Sequence, residues 1–541
     1  MSDFPERMNL ASWLLEPNLA ARPGKVAVRS ALRDATYAGI ADEAARVQTL
    51  LRELGHQHEQ RVLLVLPDSI EFVAAWLGTV RAGGLFAMVN PRLVAEEYGY
   101  YLEYSRAPVA FVHTEAWPNF VAAAKAARFL EAVIVVGPGS HDLAAEHNPK
   151  SDGGPKVVPY DVFVAHAAPA DAPFDSHRDD ACGWLFTSGT SGKPKAALHV
   201  HGDFAFNIER YAKGVLKIAE SDVTMAVSKL FFGYATGTNL MFPFAVGATT
   251  ALYPDASKPE TVVANARRFQ PTLLAAVPTT LNGILELPEH EVREAFRSLR
   301  LVISAGEALP PQLLTEFMTR FGVEILDGIG SAEMFHIYIS NEPGAVKAGS
   351  LGRVVPGYGA RIVGADGREA ADGEVGTLHV SGPSISQGYF QDVAKSRATF
   401  KGDTCVSGDL FRREPDGRFY YEGRADDLLK VGGIWVAPRE VEECLLEHSA
   451  VRECCVVGFT DERGLVTPLA FVALNGGSAA SEALTAQLID HVKKSLVHYK
   501  APRRVEFLAD LPRNDRGKIA RAELRQRALV MGTAGTSGKT R

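Results

Sequence analysis

The sequence predicts an α/β protein with a large N-terminal domain and a small, mobile α+β C-terminal domain. Apolar, β-branched runs alternate with segments of helical period over most of the 541 residues, a pattern typical of α/β architecture. A chain of this length exceeds what one hydrophobic core supports, so two or more domains are expected. After about Gly349, short strand-like runs and Gly-rich turns predict a β-rich subdomain within the N-terminal domain.

Buried strands that run into helices or glycines define the α/β sheets of the N-terminal domain. The run 61–66 predicts a strand, and the helical period of 70–81 ends at Gly83-Gly84. Further strands are predicted at 272–277 (before a helix that begins at Pro278), 299–304 and 323–326. Ligands of open α/β sheets bind at the carboxyl ends of strands, so the residues that follow these strands are candidates for a site.

The C-terminal domain is predicted to begin at Asp426, which gives an N-terminal domain of 1–425 and a C-terminal domain of 426–541. Pro438 begins an amphipathic helix beyond this point. Strands are expected at 454–459, 469–474 and 504–507. Residues from about 532 onward are predicted to form a disordered tail.

Composition and charge exclude several classes of protein. The formal net charge of −7 gives no basic surface for a nucleic-acid backbone. Five cysteines without a C-x-x-C pair argue against a disulfide framework and a zinc site. The sequence shows neither a signal peptide nor an apolar stretch of membrane-spanning length, so we expect a cytoplasmic protein without a membrane partner.

The segment TSGTSGKPK is the most informative motif, because small residues and hydroxyls suit the binding of a polyphosphate. It lies between two apolar runs and therefore predicts a strand–loop–strand hairpin; it lacks the first Gly of a Walker A loop and is followed by no helix. A flexible surface turn is the alternative. The candidate ATP-binding residues are Thr187, Ser188, Gly189, Thr190, Ser191 and Gly192, with Lys195 as a catalytic candidate.

Four later segments carry complementary chemistry. Glu333 ends the segment Ile329–Glu333 after a predicted strand, and its carboxylate is suited to hold Mg²⁺ against phosphate oxygens. Asp409 and Arg424 place an acid and a base in predicted turns. Lys518 ends the polar segment PRNDRGK, which is predicted to be a mobile loop.

In this order the segments TSGTSGKPK, GIGSAE, SGDLF, GRADDLLKVGG and PRNDRGK resemble the adenylate-forming superfamily of acyl-CoA synthetases, luciferase-like enzymes and peptide-synthetase adenylation domains. The resemblance runs from about Ala27 to Arg521 and implies that ATP is a substrate. It implies that the first loop closes over the β- and γ-phosphates and that Glu333 associates with Mg²⁺. It further implies that Asp409 holds the ribose hydroxyls and that Arg424 lies near the ribose and phosphate. The remaining ATP-binding residues that it implies are Gly306, Glu307, Ala308, Asp327, Gly328, Ile329 and Ala332.

The resemblance also implies a two-step reaction. Lys518 would bridge the substrate carboxylate and the α-phosphate while an acyl-adenylate forms and pyrophosphate leaves. The C-terminal domain would then turn about a hinge at Asp426, and the thiol of coenzyme A would displace AMP. Gly432 and Gly433 leave room for the pantetheine arm of coenzyme A, with Trp435 as a wall. A plain β-turn is the alternative for Gly433.

One residue departs from the pattern of the superfamily in a way that bears on activity. Ala332 stands where the family usually has a Thr that contacts the α-phosphate. Loss of one charge-assisted hydrogen bond costs about 1.5–3 kcal/mol, so adenylation is expected to be slower by about tenfold or more. Compensation by Ser331 is the alternative.

The acyl pocket is expected to be flat and partly aromatic. Gly233 stands where amino-acid-activating relatives carry an Asp, so the charged ammonium of an α-amino acid would have no buried partner. The predicted substrate-binding residues are Phe232, Gly233, Tyr234, Ala305, Gly330 and His336, with Gly306 at the slot. His336 is equally compatible with a contact to the substrate and with a packed structural role.

Two segments, KLFFGYATGTNLMFPFAVGATT and DGIGSAEMFHIYISN, look like those of benzoate-CoA ligases and aminobenzoate relatives. The resemblance implies a monomeric or homodimeric aryl-CoA ligase that uses ATP, Mg²⁺ and coenzyme A, with benzoate or 2-aminobenzoate as the first candidate acids. The alternatives are a medium-chain fatty acyl-CoA synthetase, a luciferase-like oxygenase, and a nucleotide-binding module without turnover.

Overall fold

A computed structural model describes residues 4–146, 154–188, 193–431, 434–460, 465–513 and 518–534. The chain divides into two compact units. The first unit is Met1–Ala360 with Val380–Val406, and the second is Arg361–His379 with Ser407–Arg541. The α/β fold class is confirmed. The predicted domain boundary and hinge at Asp426 remain predictions.

A seven-stranded sheet in the first unit carries, at one edge, the hairpin of the segment TSGTSGKPK, which we call the phosphate-loop motif. The strands in spatial order are Lys156–Pro159, Ala132–Val136, Val109–His113, Arg61–Val65, Leu85–Met88, Ala181–Ser188 and Pro194–Val200. All neighbours pair in parallel except the last two, which are antiparallel. The parallel strands are mostly buried, as expected for strands covered on both faces.

A nine-stranded sheet forms the rest of the α/β core of this unit. Its strands in order are Arg353–Val354, Ile337–Ser340, Glu324–Gly330, Leu301–Ser304, Leu273–Ala276, Val223–Ala226, Thr249–Ala251, Val26–Arg29 and Asp34–Thr36. Parallel pairing brings the carboxyl ends of the third, fourth and fifth of these strands to one edge. The residues that follow them therefore lie side by side.

The helices of the first unit begin and end largely where caps and proline residues dictate. Ile70–Arg81 coincides with the predicted helix, and Ser69 caps it by accepting a hydrogen bond from the Phe72 N–H at 3.1 Å. The other α-helices are Leu10–Ala21, Tyr37–Glu53, Ala95–Ser105, Trp117–Ala124, Ser140–Glu146, Tyr160–His166, His201–Asn207, Gly233–Thr236, Phe242–Val246, Pro259–Phe269, Pro278–Leu285, Glu289–Ala295, Pro311–Phe321 and Val393–Thr399. π-Helical turns span Ile208–Lys213 and Gly237–Met241, and a 3₁₀ turn spans Ala332–Met334.

The β-rich region predicted after Gly349 is a five-stranded sheet. Its strands are Gly359–Val363, Val375–Ser381, Thr404–Arg413 and Phe400–Lys401 in that order, with Phe419–Arg424 paired to Thr404–Arg413. The predicted turns at Asp409 and Arg424 are wrong, because both residues lie in strands and oppose each other in the register. Gly423 pairs with Leu410 and lies next to a shift in the register between Leu410 and Phe411.

The C-terminal segment is a small α+β arrangement, as predicted. Its strands are Leu429–Val431, Ile434–Val436, Val451–Thr460, Val466–Leu474 and Arg504–Phe507. Its α-helices are Pro438–Leu446, Glu482–Ser495 and Arg521–Ala534, and 3₁₀ turns span Ala425–Asp427 and His498–Lys500. The last helix runs to Ala534 and so past the predicted start of the tail at 532, while 535–541 lie outside the described residues. Among the described residues, no helix is both long and apolar enough to cross a membrane.

Candidate active site

The phosphate-loop motif joins two paired strands. Ala181–Ser188 and Pro194–Val200 pair antiparallel, with Thr187 opposite Lys195, which confirms the predicted hairpin. The predicted ATP-binding residues Gly189, Thr190, Ser191 and Gly192 lie outside the described residues, as does the side chain of Ser188. The hairpin therefore fixes both ends of the loop.

Lys195, a predicted catalytic residue, makes an ion pair inside the first unit. Its Nζ lies 2.8 Å from Asp392 Oδ2, and it also lies over the ring of Tyr389, 5.9 Å from the centroid. Asp392 in turn caps the following helix by accepting from the Lys395 N–H at 3.0 Å. The ammonium is thus held in a defined direction beside the loop.

An edge segment, defined as 386–392, lies along the strand Pro194–Val200. The Leu198 N–H donates to the Gly388 carbonyl at 3.1 Å, and the Gln387 N–H donates to the Leu198 carbonyl at 2.9 Å. Sequence reasoning missed both Tyr389 and Asp392 as site residues. The only signal for them was a Gly-Tyr pair and an acid just before a helical segment, which is common in loops.

Glu333, the predicted Mg²⁺-associated residue, is held by the same edge segment. The Tyr389 hydroxyl donates to Glu333 Oε1 at 2.6 Å, and the Ser386 N–H donates to the Glu333 carbonyl at 2.8 Å. Burial and the neighbouring carboxylate both raise the pKa of Tyr389, so its hydroxyl remains a proton donor. Glu333 presents its carboxylate in a fixed orientation, and an oriented carboxylate oxygen is a ligand that Mg²⁺ prefers.

The residues predicted to line the adenine slot lie at adjacent strand ends. Ser304 and Asp327 are partners in the parallel register, so Ala305–Ala308 and Asp327–Gly330 are neighbours. The strand predicted at 323–326 extends to Gly330, because its second half pairs with Ile337–Ser340. Gly306 has φ +93°, a left-handed conformation that favours glycine.

Two side-chain groups stiffen this region. The Glu307 carboxylate accepts from the N–H and hydroxyl of Thr279, at 3.1 and 2.7 Å. The Asp327 carbonyl accepts from the backbone and side chain of Asn341, at 3.0 and 3.1 Å. A Cβ at Gly328 would come within 2.8 Å of the Ile339 carbonyl, so only glycine fits there without a shift. The roles of Gly306, Glu307, Ala308, Asp327, Gly328, Ile329 and Ala332 in ATP binding remain predictions.

His336 forms the centre of an aromatic cluster beside Tyr234. The two rings are stacked with centroids 5.5 Å apart, and the Phe242 ring packs on His336 edge-to-face at 4.8 Å. Tyr234 donates its hydroxyl to the Ile303 carbonyl at 3.0 Å. A Cβ at Gly237 would lie only 2.4 Å from the imidazole, so glycine makes room for the ring.

The protonation state of His336 follows from its surroundings. The ring is only 3% exposed, and burial lowers its pKa to about 4. Nε2 lies 3.1 Å from the Tyr234 carbonyl and must therefore carry the proton. Within the described part of the chain, Nδ1 has no hydrogen-bond partner. His336 is therefore packed, and its unpaired Nδ1 is buried.

The other predicted acyl-pocket residues lie in the same unit. Gly233 begins the short helix that contains Tyr234, and a Cβ there would make ordinary contact with Leu185 at 3.4 Å. Phe232 packs on Phe231 with ring centroids 4.5 Å apart. Ala305 is buried, and a Cβ at Gly330 would lie 2.5 Å from the His336 carbonyl.

The second unit brings together Asp409, Arg424 and Asp426. Arg424 Nη1 lies 3.5 Å from Asp409 Oδ1, and its Nε donates to Asp426 Oδ1 at 3.0 Å. Burial raises the pKa of Asp426, but the hydrogen bond and charge of Arg424 outweigh it and hold the pKa below its usual value. Gly408 leaves room for the Arg424 guanidinium, because a Cβ would lie 2.6 Å from its Nη2.

Lys518 is half-buried in the second unit. Arg513 and Ile519 form an antiparallel bridge, which brackets Lys518 on the chain. The intervening residues 514–517 lie outside the described residues, as do Gly432 and Gly433 of the predicted coenzyme A tunnel. Trp435 lies in the strand Ile434–Val436, and its side chain is likewise outside the described part.

Comparison with known proteins gives matches along the whole chain. The model of the AMP-binding enzyme family matches residues 15–390, and that of the AMP-binding enzyme C-terminal domain matches 440–518. A benzoate–CoA ligase of Thauera aromatica is 40% identical over 96% of this chain and 96% of its own length. An anthranilate–CoA ligase of Pseudomonas aeruginosa is 32% identical over 95% of this chain and 94% of its own.

Solved structures give the same result. The anthranilate CoA ligase AuaEII in complex with anthranoyl-AMP matches with a TM-score of 0.91 and 36% identity, over 98% of this chain and 99% of its own. A benzoate CoA ligase from Burkholderia xenovorans LB400 matches with a TM-score of 0.86 and 37% identity, over 96% of this chain and all of its own.

The buried neutral imidazole of His336 predicts acid-sensitive stability. The unfolded chain takes up a proton below pH 6.5, whereas folded His336 takes it up only near pH 4. Stability therefore falls as the pH drops through this window, by about 2 kcal/mol between pH 7 and pH 5 for this residue. In urea unfolding, the free energy of unfolding of His336→Gln should therefore fall by about 2 kcal/mol less between pH 7 and pH 5 than that of the wild type.

His141→Gln is the matched control, because the side chain of His141 is exposed. The free energy of unfolding of this variant should depend on pH as that of the wild type does. Equal pH dependence of the wild type and His336→Gln would contradict the assignment of a buried neutral ring.

Proposed function

The chain belongs to the AMP-binding enzyme family, and from this premise we propose that it is an ATP-dependent aryl-CoA ligase. An aromatic carboxylate attacks the α-phosphate of ATP to give an acyl-adenylate and pyrophosphate, and the thiol of coenzyme A then displaces AMP. The observation that carries the proposal is full-length similarity to ligases named for benzoate and anthranilate. The structural match to a ligase that holds anthranoyl-AMP supports the adenylate intermediate.

The aromatic cluster around His336 supports an aromatic acid as the substrate. Phe232 and Tyr234 are half-buried, and Tyr234 stacks on the buried ring of His336, so these two aromatic rings offer flat apolar surface. Gly233 supplies no carboxylate for an α-ammonium group, so burial of an amino acid would leave its charge unpaired.

The fixed orientation of the Glu333 and Lys195 side chains supports the chemistry of the first step. Two anions repel each other, so positive charge must be supplied where the carboxylate meets the phosphate. Glu333, oriented by Tyr389, would hold Mg²⁺, and the ion would neutralise phosphate charge. Lys195 would face the phosphates from the hairpin, and Lys518 would neutralise the attacking carboxylate. Asp409 and Arg424 would bind the ribose and phosphate.

The substrate class is tested by a panel of benzoate, 2-aminobenzoate, hydroxybenzoates and fatty acids of six to ten carbons. We expect pyrophosphate release and consumption of coenzyme A with the aromatic acids and much slower turnover with the aliphatic ones. A preference for fatty acids would overturn the aryl assignment in favour of a medium-chain synthetase. Light emission from the adenylate with O₂ would indicate a luciferase-like oxygenase, and ATP binding without pyrophosphate release would indicate a binding module.

Replacement of Lys518 should separate the two half-reactions. Lys518→Ala removes the proposed charge at the attacking carboxylate, so pyrophosphate release should fall by at least about a hundredfold. Conversion of supplied benzoyl-adenylate to the thioester should persist. Lys494→Ala removes an exposed lysine of the same unit and is the matched control. Equal loss of both half-reactions would contradict the role.

Restoration of a hydroxyl at position 332 should accelerate adenylation. Ala332→Thr adds a donor beside the proposed phosphate site, which is worth about 1.5–3 kcal/mol where the hydrogen bond forms. We expect the rate of pyrophosphate release to rise by about tenfold, with the thioester step unchanged. An unchanged rate would show that Ser331 or water already supplies the contact.

We also propose that the protein is located in the cytoplasm and is a monomer or a homodimer.

A further inference from the structure

A buried histidine–aspartate pair lies behind Glu333 and is not used in the proposed mechanism. His199 is near the end of the strand Pro194–Val200, and Asp203 is in the first turn of the helix His201–Asn207. Their side chains are 0% and 5% exposed, and His199 Nδ1 lies 2.9 Å from Asp203 Oδ2. Burial of polar groups at this depth is costly unless their hydrogen bonds are satisfied.

The second ring nitrogen of His199 reaches the turn that contains Glu333. His199 Nε2 lies 2.7 Å from the Ala332 carbonyl, which is 133 residues away along the chain. A carbonyl oxygen only accepts, so Nε2 carries a proton and donates it. With Nε2 donating to the carbonyl, the bond between Nδ1 and Asp203 Oδ2 requires one further proton, which the pair shares, and this second hydrogen bond fixes the orientation of the ring.

The bond to Ala332 constrains Glu333 directly. The Ala332 carbonyl and the Glu333 N–H belong to one planar peptide group, so fixing one fixes the direction of the other. The next carbonyl, that of Glu333, accepts from the Ser386 N–H, and the carboxylate accepts from Tyr389. His199 therefore completes a set of three hydrogen bonds that fix the peptide groups on either side of Glu333 and its carboxylate.

Helix capping accounts for only part of this arrangement. Asp203 Oδ2 also accepts from the Val200 N–H at 3.1 Å, which caps the helix. A cap explains the aspartate, but it explains neither a histidine at 199 nor its bond to Ala332. Ala332 has no side-chain hydroxyl, so a hydrogen bond that positions this residue must act on its backbone.

We propose that His199, oriented by Asp203, is a positioning residue that sets Glu333 for binding of Mg²⁺ and ATP in the adenylation step. The inference rests on the proposed function, because the role of Glu333 is part of that proposal. Mutation of residues that orient metal ligands typically costs about 10–100-fold in activity or metal affinity. A defect in this range is expected in adenylation, and none in the thioester step.

The test compares two amides at position 199. In His199→Gln the side-chain amide reaches about as far as Nε2 and keeps a donor for Ala332, whereas the amide of His199→Asn is shorter and reaches only toward Asp203. We expect pyrophosphate release with benzoate to fall by about 10–100-fold in the Asn variant, with more Mg²⁺ needed for half-maximal rate. The Gln variant should stay within a few-fold of the wild type, and both should convert supplied benzoyl-adenylate normally.

Equal defects in the Gln and Asn variants, or equal loss of both half-reactions, would overturn the inference. If His199→Asn fails to fold, Asp203→Asn keeps an acceptor for the helix cap but cannot share a proton with Nδ1 and so weakens the bond that orients the ring; an unchanged Mg²⁺ requirement there would also overturn the inference. If the wild type releases no pyrophosphate with any acid, the proposed function fails. The inference is then tested by calorimetric measurement of Mg²⁺–ATP binding. It is overturned if His199→Asn binds Mg²⁺–ATP as tightly as the wild type.

Discussion

One strand, Pro194–Val200, determines where the charged groups of the candidate site in the first unit lie. Side chains of a strand alternate between faces, so Lys195 and His199 project to the same side. Lys195 meets Asp392 and His199 meets the Ala332 carbonyl, while the strand backbone pairs with the edge segment 386–392. The anchoring of the loop, the orientation of Glu333 and the direction of the Lys195 ammonium all depend on this one pairing.

Local signals in the sequence predicted the elements but not these connections. Helix 70–81 was predictable to the residue, because Ser69 is a strong N-cap and Gly83-Gly84 stops the helical pattern. The hairpin at the first motif was also predictable, since two apolar runs flank it. Tyr389 and Asp392 were missed because their partners are distant along the chain, Glu333 56 residues before Tyr389 and Lys195 far before Asp392, and no period or spacing encodes such a pairing.

The error at Asp409 and Arg424 has a different cause. Glycines usually indicate turns, and Gly408 and Gly423 were interpreted in that way. In the structure these residues lie in paired strands, and Gly408 leaves space for the guanidinium of Arg424 above the sheet. A glycine inside a strand often marks the close approach of another group, which only tertiary structure reveals.

The substitution at Ala332 separates two functions that a single threonine would combine. In the proposed mechanism a threonine would donate to the α-phosphate, and its hydroxyl would also be able to bond within the turn. Hydrogen bonds from His199, Ser386 and Tyr389 fix the turn without any side chain at 332. Neighbouring residues can fix the turn in this way, but a hydrogen bond to the phosphate needs a donor that lies close to the phosphate. In the proposed mechanism the missing hydroxyl affects stabilisation of phosphate charge, whereas loss of the His199 bond affects the geometry of Glu333. Because His199 bonds to the carbonyl of Ala332 itself, the effects of the two changes are expected to be coupled rather than additive.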